Sequence, residues 1–201
     1  MPNVFIPSLC GIILLASAAP VRSAQEFPDY PVRQPHNYSI SARQDEVSIG
    51  LEPVESVQDQ QEYFHSALSP KGFLPVLVVI HNRSKHASLL LDKGEISYGL
   101  GDSEETSPKD NTAGQKAAIV STALIPFIGP FISLGMAKGN SEVKQNILRR
   151  ELQSITLSPG DTASGFLYIP IPKKELRRKI HIQFPIIWIG ADRTTVVHLD
   201  F

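Results

Sequence analysis

The sequence predicts a mainly β protein: an antiparallel β-sandwich carrying an inserted apolar helical hairpin and one amphipathic helix. Seven or eight short apolar segments recur between turn formers, several with the two-residue period of a half-buried strand. Outside one insertion, residues 113–153, helical spacing is confined to a single short segment. At 201 residues, 42% hydrophobic and 19% charged, the composition suits one folded domain and excludes a disordered or coiled-coil chain.

Residues 4–19, VFIPSLCGIILLASAA, are uncharged and almost wholly apolar, and small residues follow them. This predicts a signal peptide over 1–18, cut after Ala18 in the small-x-small run Ala16-Ser17-Ala18, or as late as Ala24. The alternative is an N-terminal membrane anchor, for which the run is somewhat short. Cys10 lies inside the run after the bulky Leu9, which disfavours lipidation, so removal of the signal leaves a chain without a thiol. Residues 19–44 contain several prolines and no apolar period, which predicts an extended tether or a strap on the domain that fills 45–201.

Val47, Ile49 and Leu51 alternate with small or polar residues and end at Pro53, as a half-buried strand does. VQDQQEYFHSAL fits a short helix with Val57, Tyr63, Phe64 and Leu68 inward, stopped by Pro70 and Gly72. Phe73 to Ile80 is a continuous apolar run too short for a typical helix, and it predicts a central strand buried on both faces. Asn82-Arg83-Ser84 turns the chain, and strands from Ala87 and Glu95 are separated by the turn Asp92-Lys93-Gly94. Residues 101–115 read as a polar loop. Ser141 caps a helix to about Gln153, with Val143, Ile147, Leu148 and Leu152 as its inner stripe. A short strand ITL, the turn Ser158 to Asp161, a strand from about Ala163 to Ile169, and a final hairpin turning at Gly190 to Arg193 complete the chain.

The stretch LPVLVVIHNRSKHASLLL, with a buried strand ending at an Asn, together with SPGDTASGFLYIPI, resembles the strand-turn-strand pattern of immunoglobulin-like domains in uncharacterised exported bacterial proteins. The resemblance covers about half the chain. It implies a fold and a bacterial envelope setting, and carries over no functional residue.

Ala117 to Ala137 holds 21 uncharged residues between Lys116 and Lys138, long enough as a helix to cross a bilayer. Pro126 and Pro130 break such a helix, which makes a hairpin more natural. Three readings stand open. The hairpin dips into a membrane or partner groove, it covers the core, or the segment spans; a span would part the strands before residue 117 from those after 138. Ile125, Phe127, Ile128, Phe131 and Ile132 are the candidate membrane or partner contacts. KKELRRK, 173–179, has five basic residues and one acid, so Lys173, Lys174, Arg177 and Arg178 are candidate anion contacts, and a solvated loop is the plainer reading.

With 19 basic and 20 acidic side chains there is no electrostatic reason to expect nucleic acid as partner. The six histidines lack metal-binding spacing, although His181 and His198 sit on strands expected to pair and could approach one another. No nucleophile elbow, phosphate loop or dinucleotide fingerprint occurs, so neither an enzyme nor a cofactor is expected. Asn37-Tyr38-Ser39 and Asn82-Arg83-Ser84 match the glycan acceptor pattern. The expected role is that of an exported, non-enzymatic binding or structural protein of the periplasm or cell envelope, whose partner is an envelope protein or a membrane surface. The alternatives are a membrane-associated protein inserting residues 117–137 into lipid, and a hydrolase whose site leaves no motif.

Overall fold

The computed structural model describes residues 28–100, 125–126, 141–171 and 179–201, with 125–126 described as backbone. Two antiparallel sheets and two helices account for most of these residues. In the first sheet, β1 (Ile40–Gln44), β2 (Val47–Pro53), β3 (Phe73–Asn82) and β8 (Thr162–Pro170) pair in that order. The second is built on β9 (Ile180–Trp188), one edge of which is taken along 181–188 by β10 (Arg193–Asp200). A strand has only two hydrogen-bonding edges, so β4 (Leu89–Leu91) and β5 (Ser97–Leu100) share the other as one interrupted row. β7 (Ile155–Leu157) pairs with β4, and β6 (Ile125–Pro126) with β5.

The alternation of β3 divides its side chains between two apolar clusters. Leu74, Val76, Val78 and Ile80 join Val47, Ile49 and Leu51 of β2, and residues such as Phe184, Ile186 and Trp188 of the second sheet, in one core between the sheets. Phe73, Leu77 and Val79 point to the opposite face, where α1 (Val57–Phe64) and α2 (Ser141–Arg150) cover the first sheet. The strand is therefore buried on both faces, as its unbroken apolar run requires. Each Val, Leu or Ile so buried contributes about 1.5–3 kcal/mol.

The helical layer is rich in rings. Phe64 meets Phe166 and Tyr168 edge to face at 5.0 and 6.0 Å, and Tyr30 lies 4.6 Å from Tyr63. Ser56 caps α1 by accepting from the Asp59 amide at 3.3 Å. Val57, expected inward, is exposed, and the inward position falls instead to Gln60. Its amide donates to Val54 O and Ser69 Oγ, while Oε1 accepts from the Leu68 and Ser69 amides, so a wholly buried Gln fastens the helix to the loop that follows. α2 stops at Arg150, short of Gln153, because the chain turns to lie along β8, where Leu152 N donates to Phe166 O at 3.0 Å. Only glycine permits that approach: a Cβ on Gly165 would stand 2.5 Å from Leu152 Cα. Leu148 is consequently exposed, and Leu152 is buried from outside the helix.

Ile40–Gln44, assigned from sequence to the tether, is instead a strand in register with β2. Its turn residue Asp45 adopts a positive φ of 51° and accepts from Thr195 Oγ1 at 2.7 Å. Thr195 in turn accepts from the Trp188 indole at 3.0 Å, which joins the edge of the first sheet to the second. Upstream, residues 28–34 form a strap. Arg150 donates to Pro28 O at 2.5 Å, and Arg33 pairs with Glu52 at 2.7 Å.

Candidate contact end of the second sheet

Register places the strand end that leads into one chemically distinctive segment beside the strand that begins after the other. β5 ends at Leu100, which lies opposite Ile180 at the beginning of β9. On the other side of Ile180, Phe201 exchanges two backbone hydrogen bonds with it, at 2.7 and 3.0 Å. Leu100, Ile180 and Phe201 thus form one row at the end of the sheet. The chain beyond Leu100 leads into 101–124, and the chain before Lys179 comes from 172–178, so both segments issue from neighbouring strand ends. In the first sheet the same linker begins after Ile171, whose amide is held by Gly72 O at 2.8 Å.

Ile125 and Pro126 return to this sheet, with Ile125 opposite Tyr98 and Pro126 opposite Ser97. The sequence expects the break of the helical hairpin to begin there, and the two described residues are extended strand. The other candidate contacts Phe127, Ile128, Phe131 and Ile132, and the anion contacts Lys173, Lys174, Arg177 and Arg178, lie outside the described residues. So does the predicted signal over 1–18. Among the described residues no helix is long and apolar enough to cross a membrane.

Near this end of the sheet one polar side-chain contact joins the paired strands β9 and β10. His181 is opposite Asp200, not His198, and His181 Nδ1 lies 2.6 Å from Asp200 Oδ1. His198 is opposite Gln183, so the approach of two histidines expected from sequence does not occur as a direct pair. Strands β9 and β10 do pair as expected, but the register that decides which side chains meet is fixed by the turn at Gly190, where φ is 80°. Among the described residues, no three His, Cys, Asp or Glu side chains converge as metal ligands would. Nearby, burial pushes the Tyr98 phenol above its ordinary range.

Other exposed apolar side chains lie elsewhere. Ile187 and Ile189, 40% and 47% exposed, are at the opposite end of β9. The histidines at 36, 86 and 198 are exposed on separate elements, and His81 is held against Thr162 Oγ1 at 2.9 Å. No protein-family model matches the chain, and no curated protein matches it in sequence.

Proposed function

We propose that this is an exported, non-enzymatic component of a cell envelope that binds an envelope protein or membrane surface through the end of the second sheet. The observation that carries the reading is the pairing of Leu100 with Ile180. It sets the strand end that leads into the polar-then-apolar segment beside the strand that follows the basic segment, which is what a surface combining apolar insertion with attraction to anionic groups needs. β5 before the apolar segment and α2 after it belong to one body, which favours entry and return from one side over a single crossing. The accompanying fold is an immunoglobulin-like sandwich. Strand order β2-β3-β8 in one sheet and β4-β9-β10 in the other, with crossings between sheets after β3 and β8 and a hairpin joining β9 to β10, supports it.

Envelope fractionation followed by vesicle flotation tests the membrane form of this reading. Flotation with anionic vesicles, lost on Ile128→Asp and weakened by Lys173→Glu with Arg177→Glu while the thermal melt stays unchanged, supports lipid contact. A protein released with the soluble envelope fraction that never floats leaves the partner as a protein. A chain recovered only from the cytoplasm contradicts both.

A further inference from the structure

Of the two glycan acceptor patterns, one lies in a place that the fold cannot spare. Asn82 ends β3 and is wholly buried. Its Nδ2 donates to Ala87 O at 2.9 Å and to Leu157 O at 3.1 Å, so both amide hydrogens are used. Oδ1 accepts from Ser84 N at 3.0 Å, the backbone amide donates to Asp161 O at 2.9 Å, and the carbonyl accepts from Gly160 N at 2.9 Å. One side chain therefore fastens the end of β3 to the loop before β4, to the end of β7 and, through its backbone, to the turn before β8. The acceptor hydroxyl is engaged as well: Ser84 Oγ accepts from the amides of His86 and Ala87 at 3.2 and 2.9 Å.

N-glycosylation forms a bond from Nδ2 to the anomeric carbon of a lipid diphosphate-linked sugar; the carbon–oxygen bond to the diphosphate breaks, and one amide proton is lost. At Asn82 this would remove one of two buried donors, leave Ala87 O or Leu157 O unpaired, and put a sugar where there is no space. Asn37, by contrast, is exposed on the turn Pro35–Asn37 and could carry a glycan without disturbing the core.

We infer that this chain folds in a compartment where Asn-X-Ser tripeptides are not N-glycosylated, because a sugar on Asn82 and the native fold exclude each other. The exclusion stands whether or not the chain is exported. Its bearing on the route rests on the export reading, and narrows it to one in which the unfolded chain does not meet a lipid-linked oligosaccharide and its transferase.

The test directs the full chain, carrying Asn37→Gln so that Asn82 is the one acceptor pattern left, through a glycosylating secretory pathway behind a secretory signal. Parallel cultures receive an inhibitor of lipid-linked oligosaccharide synthesis. Chains bearing an endoglycosidase-sensitive shift should be retained and protease-sensitive, and the inhibitor should raise secretion of protease-resistant protein severalfold. Folded, secreted protein with a glycan on Asn82 overturns the inference, as does equal recovery with and without the inhibitor. This result is independent of fractionation and flotation, so its failure is distinguishable from failure of the envelope reading.

Discussion

Gly165 shows how much of this fold depends on one missing methyl group. Its absence lets Leu152 settle against β8, and that contact ends α2 and leads the chain into β7. Gly165→Ala should lower stability by about 1–3 kcal/mol through forced displacement of that backbone, measured by denaturant unfolding. A change within error would show that the 151–152 segment can shift freely. Gln60 and Asn82 act at the same scale by the opposite means, using both amide hydrogens of a buried side chain and engaging its oxygen as well. Neither role was legible. A Gln among polar helix residues reads as surface, since periodicity records polarity and not the carbonyls and amides that the fold brings near it. Asn82 was visible as the residue ending a strand, as the start of a turn and as a glycan acceptor pattern, none of which announces a buried amide.

At the scale of elements, β3 was the most legible because its apolar run admits no solvent-facing side. Val78 is wholly buried between the sheets. Val78→Asp should therefore unfold or strongly destabilise the domain, by several kcal/mol, since a carboxylate there has no partner; an unchanged melting temperature contradicts the assignment. β1 was illegible because its residues ISARQ carry no apolar period. It is a strand because β2 offers it an edge. The helical layer offers a pH test. Tyr168 donates to Ile147 O at 2.9 Å, and burial holds its phenol well above the ordinary range. In the unfolded chain the same phenol ionises near pH 10, so the unfolded state gives up its proton first and stability falls as pH rises beyond about 10. Tyr168→Phe should cost about 1–3 kcal/mol at neutral pH, leaving Ile147 O unpaired, and should flatten the alkaline loss by up to about 1.4 kcal/mol per pH unit. Burial raises Tyr30 and Tyr98 too, so part of the slope should remain in melts taken across that range.

At the scale of the molecule, the mainly β architecture was readable from the number of strands and turns, but the partition into sheets was not. β4 and β5 look in sequence like two successive strands, and only the length of β9 allows both to share one of its edges. The same register sets Leu100, after which the chain runs on toward the apolar segment, opposite Ile180, which follows the basic one, a juxtaposition that neither segment encodes by itself. Photo-crosslinking in the native envelope tests the central claim most directly, with a photoreactive side chain at Lys179 in one protein and at Ile187 in another. Both positions are exposed, one beside the Leu100–Ile180 row and the other toward the far end of β9. The contact end proposed for this protein predicts adducts to lipid or to a defined envelope protein from position 179 and none from position 187; adducts from 187 alone would contradict it.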